Sequence, residues 1–230
     1  QAQSDQLLAP LLAPLQPTLK KSRYKWQFMI VNDPQSNAFA LPGGQVVIHS
    51  GLILKARNAD EVLGVLGHEI AHVEQQHSVQ NLIASAGAYL VVSALFGDVT
   101  GLTAVLVNSA PMLLAQSYSR HFEEEADEVG MSYLHLAGIN PQGLISFFES
   151  LVKEEEKQWR KIENDQTREA AKVGLQFLST HPATEKRIAN LKQLLAQQKP
   201  QSWHDFGSAF PALQGAVKTF ATTPPKEGTS

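Results

Sequence analysis

The run Asn58-Ala59-Asp60-Glu61-Val62-Leu63-Gly64-Val65-Leu66-Gly67-His68-Glu69-Ile70-Ala71-His72-Val73 decides how this chain is read. Asn58 can cap a helix, with Glu61 three residues on, and Val62, Leu63, Val65, Leu66, Ile70 and Val73 recur at helical spacing. The pattern predicts a helix to about Gln80. His68 and His72 then project from one face about one turn apart, so two imidazoles can grip one cation. Glu69 can reach a metal-bound water without being a ligand, the place a general base needs. The plainer alternative is an ordinary helix with two half-buried histidines. The helical context and the apolar residues around the polar motif argue against it.

Upstream, Tyr24 to Val31 is rich in aromatic and β-branched residues and runs into Asn32-Asp33-Pro34, which reads as a strand and a turn. Ala38 to Leu41 and Gln45 to His49 flank Pro42-Gly43-Gly44 and predict a hairpin. Leucines from Leu7 to Leu19 lie among Pro10, Pro14 and Pro17, so residues 1–22 are expected to form an N-terminal arm of short or interrupted helix. Downstream, Gly97-Asp98-Val99-Thr100-Gly101 divides the apolar stretch Leu82 to Ala115 into pieces shorter than the roughly twenty residues a bilayer requires. Two buried or interfacial helices follow from this, with peripheral membrane contact through that stretch left open. Tyr118 to Leu136, Pro141 to about Lys172, and Ala183 to Gln198 read as further helices. The expectation is an α+β, mainly α-helical domain over residues 23–198, with a small β-sheet beside the motif helix and a loosely held tail over 199–230.

At 230 residues, 43% hydrophobic and 18% charged, the chain can bury a sizeable core. A net charge of −3 gives no basic footprint, which argues against a nucleic-acid partner. With no cysteine, disulfides and thiolate metal sites are excluded, so any metal is held by His, Asp or Glu. The first residues, QAQSDQLLAPLLAPLQP, lack a basic region followed by a continuous apolar stretch, so no intact signal peptide is read there.

A catalytic zinc site needs a third protein ligand and an open position. Ser119-Arg120-His121-Phe122-Glu123-Glu124-Glu125-Ala126-Asp127 offers it. Glu123 and Asp127 are four apart, so Glu123 can ligate while Asp127 accepts an imidazole N–H, with Arg120 on the same side. From spacing alone, three consecutive glutamates fit a solvated face equally well.

Taken together, His68 to His72, Ser119-Arg120 with Glu123 and Asp127, and Thr180-His181-Pro182 with Arg187 resemble the metallopeptidases of family 48. That group includes HtpX, the CAAX prenyl protease and the mitochondrial and bacterial envelope quality-control peptidases. Asn37-Ala38-Phe39-Ala40-Leu41-Pro42-Gly43-Gly44 also looks like the family's strand and turn, so the likeness runs from about Asn37 to Leu191. The resemblance implies a zincin-like fold of gluzincin type, one Zn2+ per chain, Glu123 as third ligand, Glu69 as base and Asp127 supporting a histidine. It further implies that His181 can approach the metal and occupy its open position. Taken alone, His181-Pro182 also suits a helix N-terminus. Without plain membrane spans, the soluble branch facing the bacterial envelope fits better, which implies a periplasmic or outer-membrane-associated location.

The expected activity is endopeptidase hydrolysis of unfolded or misassembled polypeptide, with substrate added as a strand along Phe39, Ala40 and Leu41. One rival is a zinc-stabilised chaperone or binding module whose four ligands include His181. A second is a lipid-surface protein using Leu82 to Ala115. The remaining histidines, His49, His77, His121, His135 and His204, read as surface or core residues.

Overall fold

The computed structural model describes residues 2–84, 87, 117–162, 177, 180–182 and 185–222. Most of the apolar stretch Leu82 to Ala115, and with it the expected pair of helices, lies outside these residues. Among the described residues no helix is long and apolar enough to cross a membrane.

The predicted hairpin forms as β2 (Ala38–Leu41) and β3 (Gln45–His49), with Gly43 and Gly44 at φ of 101° and 93°, a region glycine enters without a Cβ clash. β1 (Gln27–Val31) pairs with β3 in parallel, giving the order β1-β3-β2. This leaves β2 on the sheet edge beside the motif helix. α3 (Ser50–Lys55) follows, and then the side chain of Asn58 accepts from the Glu61 N–H at 3.0 Å and opens α4 (Ala59–Glu74). α4 ends six residues short of the predicted Gln80, because Gln76 takes φ 60° and turns the chain.

α4 is buried almost throughout, between the sheet and two later helices, α5 (Arg120–Leu136) and α6 (Gln142–Ile162). It crosses α5 at Gly67 and Gly130. A Cβ on Gly130 would meet the backbone of Gly67 and His68 at 3.1 Å, so the two helices touch main chain to main chain. α7 (Glu185–Gln197) packs on α5 and α6.

Both chain ends differ from expectation. α1 (Ala2–Leu12), a 3-10 turn (Ala13–Leu15) and α2 (Gln16–Leu19) place Leu8, Leu11, Leu12, Leu15 and Leu19 in the core, so the segment is part of the domain and not an arm. Pro14 and Pro17 fall in the first turns of the pieces that follow, where their missing N–H costs nothing. The expected tail carries α8 (Ala209–Thr222), whose Phe210, Leu213 and Val217 are buried at helical spacing against α1 and α3. Gln214 donates from its amide to the carbonyls of Ile53 and Ala56, at 3.0 and 2.9 Å, which have no partner further along α3.

Candidate metal centre

α4 supplies His68 and His72, α5 supplies Glu123, and the turn before α7 supplies His181, all essentially buried. One ligating atom from each of the four lies within 4.8 Å of the others. Nε2 of His68 sits 3.0 Å from Nε2 of His72 and 3.3 Å from Nδ1 of His181. Glu123 places Oε1 2.9 Å from His181 Nδ1 and 3.5 Å from His72 Nε2, and Oε2 3.4 Å from His68 Nε2. Three imidazoles and one carboxylate converging in a dry pocket suit a borderline divalent transition ion. The fit shows in the donor chemistry: imidazole nitrogens of three buried histidines and the Glu123 carboxylate crowd toward one point, and the histidines hold Glu123 ionised there.

The surroundings hold the ligands in place. Asp127 Oδ1 stands 3.0 Å from His68 Nδ1, off the line of a well-formed hydrogen bond, so the carboxylate lies against the ring that the resemblance has it support. Arg120, expected beside it, is instead exposed at the start of α5. The cation that lies there is Arg187 of α7, which donates to Asp127 Oδ2 and Oδ1 at 2.8 and 2.7 Å and to the Pro182 carbonyl at 3.0 Å. Its Nη1 lies 2.5 Å from Glu123 Oε2. Phe148 and Phe177 wall the cluster, and Tyr118 stacks on His72 with centroids 3.9 Å apart. Tyr118 also takes a backbone bond from its N–H to the Thr180 carbonyl, 3.3 Å, so its segment and that of His181 arrive together.

Glu69 does not face the donors directly. Its Oε2 accepts from the Ala40 N–H at 3.2 Å, and its Oε1, without a hydrogen-bond partner, lies 3.4 Å from His181 Nε2. Asn37, Phe39, Ala40, Leu41, Glu69, Tyr118 and His181 line one cleft, so the β2 edge and the carboxylate share a space open to a ligand.

Burial raises the Glu69 carboxyl above its ordinary range. Burial alone would lower His68, but the Asp127 and Glu123 carboxylates outweigh it and push that imidazole up to about 9. His72 is driven well below the ordinary value by burial, with His68 and His181 nearby adding to it. Burial opposes ionisation of Glu123, yet His181, His68 and His72 together hold it far down as a carboxylate.

Sequence reasoning missed His77. Burial lowers its pKa, and its ring, fully buried, stacks on Phe122 with centroids 4.3 Å apart. Nδ1 lies 2.9 Å from His72 Nδ1 and Nε2 lies 3.2 Å from Glu125 Oε2. Its place past the end of α4 depends on the turn at Gln76, and no periodicity signals that turn.

The profile described as peptidase family M48 matches residues 3–195. The chain is similar to the mitochondrial metalloendopeptidase OMA1 of Saccharomyces cerevisiae, 35% identical over 173 residues, 74% of this chain and 47% of the relative. It is similar to the beta-barrel assembly-enhancing protease of Escherichia coli, 29% identical over 196 residues, 79% of this chain and 37% of the relative. The putative beta-barrel assembly-enhancing protease of Vibrio cholerae is 33% identical over 185 residues, 75% of this chain and 35% of the relative. The chain thus spans at most about half the length of these curated relatives.

Proposed function

The chain belongs to peptidase family M48, and on that footing we propose that it is a zinc-dependent metalloendopeptidase. Its substrates are unfolded or misassembled polypeptides of a bacterial cell envelope, in the periplasm or at the outer membrane. The observation that carries this reading is the meeting of His68, His72 and Glu123 within reach of one ion, with Glu69 and the β2 edge in the adjoining cleft. The names of the Escherichia coli and Vibrio cholerae relatives, which place them in β-barrel assembly, support the envelope setting.

His68, His72 and Glu123 would hold the zinc, one ion per chain. When bound, zinc supplies Lewis-acid polarisation of the scissile carbonyl and acidifies a water for attack. Glu69, its basicity raised by burial, takes the proton from the attacking water and passes it to the leaving amine. Substrate lies extended along Phe39 to Leu41, where main-chain hydrogen bonds read backbone more than side chain. Asp127, locked by Arg187, fixes the His68 ring. His181 lies within reach of the same point as a fourth donor, which supports the reading of a self-blocked resting form that would open if the 180–182 turn withdrew. A second reading, a closed four-ligand metal that stabilises a binding module without hydrolysis, draws on that same fourth donor.

The test compares zinc content and casein hydrolysis for the wild type, Glu69→Gln and His181→Ala. Cleavage abolished in Glu69→Gln with zinc retained supports the peptidase, and cleavage gained in His181→Ala supports self-blocking. Zinc-loaded forms that all fail to cleave casein and envelope polypeptides favour the binding module.

A further inference from the structure

His72, one of the proposed ligands, is joined to His77 and Glu125 in a connected line that runs outward from the cluster, and His77 and Glu125 take no part in the chemistry described above. It begins at His72 Nδ1, crosses 2.9 Å to His77 Nδ1, and leaves from His77 Nε2 to Glu125 Oε2 at 3.2 Å. The proton positions along it follow from its far end. A carboxylate only accepts, so His77 must carry its proton on Nε2 to bond Glu125. A neutral imidazole protonated on Nε2 has a lone pair on Nδ1, and that nitrogen can only accept. The proton between the two Nδ1 atoms therefore belongs to His72, whose Nε2 is left with a lone pair on the side of His68 and Glu123.

We infer that His77 is a positioning residue that fixes His72 in its Nδ1–H tautomer and so presets His72 Nε2 as a metal donor before any ion arrives. The rings around it prevent reorientation. His77 is held face to face on Phe122, 14° from parallel, and His72 is covered by Tyr118 at 24°. His68 is steadied by Asp127 on α5, so each histidine of the pair has its own support: a carboxylate for His68, and an imidazole backed by a carboxylate for His72. The inference rests on the reading of His72 as a metal ligand, but its tautomer claim concerns the metal-free chain.

The experiment uses the full chain with 15N-labelled histidine, in the wild type, His77→Phe and His77→Asn. Phe keeps the ring against Phe122 and removes the acceptor, whereas Asn restores an oxygen near the position of Nδ1. In the metal-free wild type, long-range 1H–15N spectra should show His72 protonated on Nδ1, and His77→Phe should show a mixture of tautomers. By competition with a chelator, zinc should bind about 10- to 100-fold more weakly to His77→Phe, and His77→Asn should recover most of the loss. An Nε2–H tautomer at His72 in the wild type overturns the relay, as does unchanged zinc affinity in a folded His77→Phe. If the wild type binds no zinc yet His72 shows the Nδ1–H tautomer and loses it in His77→Phe, the relay stands and the metal reading falls.

Discussion

Arg187→Met removes the cation that faces two buried carboxylates while keeping most of the aliphatic stem. Arg187 is 5% exposed, makes a two-pronged bond to Asp127, and lies beside Glu123 and over the face of Phe148 at 4.7 Å. Taking one partner from a buried ion pair strands the other and costs about 3–5 kcal/mol. For a chain of this size each kcal/mol moves the midpoint by about 2–4 °C, so the metal-free variant should melt about 6–20 °C lower. Arg187→Lys should recover little, since an ammonium cannot match the fork that Asp127 receives. A bound divalent ion adds positive charge beside Glu123, so the same substitution should cost less in the zinc-loaded protein. Thermal unfolding by circular dichroism, with chelator and with zinc, measures both. A fall under about 2 °C in the metal-free variant would correspond to about 1 kcal/mol or less and would refute the assignment of Arg187 as the buried counter-charge.

Three further outcomes follow from the cluster and the helix crossing that carries it. Gly130→Ala drives a methyl against the backbone of Gly67 and His68, which cannot rotate away, so overpacking of about 1–3 kcal/mol is expected together with weaker zinc binding, read by calorimetry. In the metal-free chain His68 is held up to about 9 against an ordinary 6.5, so the stability it contributes is fully present below about 6.5 and disappears as pH rises through about 9. Zinc must displace that proton, so its affinity should rise with pH up to about 9, with one proton released per ion in a weakly buffered titration; affinity flat from pH 6.5 to 9 would contradict this.

Much of the site was legible because a helix turns one-dimensional spacing into a face. His68, Glu69 and His72 needed only a period of 3.6 residues; the same period put Glu123 and Asp127 on one face but suited a solvated face equally well, and the family resemblance was what singled out Glu123 as a ligand. What spacing cannot fix is which elements meet. Arg120 shares a helix with Glu123, and that proximity drew the prediction, but Arg120 points to solvent and Arg187 from another helix fills the place. His77 follows a residue at positive φ, where helical period stops. The termini failed for a different reason. Pro14 and Pro17 looked like interruptions but open successive short helices, while Pro10 sits within α1, and the Phe210, Leu213, Val217 stripe went unread in a stretch expected to be a loosely held tail. In both places the apolar stripe decided the outcome, because its burial offsets weak local propensity.

Where α4 and α5 cross, the Gly130 backbone rests on the peptide groups of Gly67 and His68 while the Leu134 side chain packs on Gly67, so the interval between the histidine pair and the α5 carboxylates is set largely by main chain in contact with main chain. Retuning such a centre for a larger ion is therefore work for the tips of the ligands, with aspartate for glutamate or glutamine for histidine, because the backbone contact at Gly130 leaves the spacing of the helices little room to change.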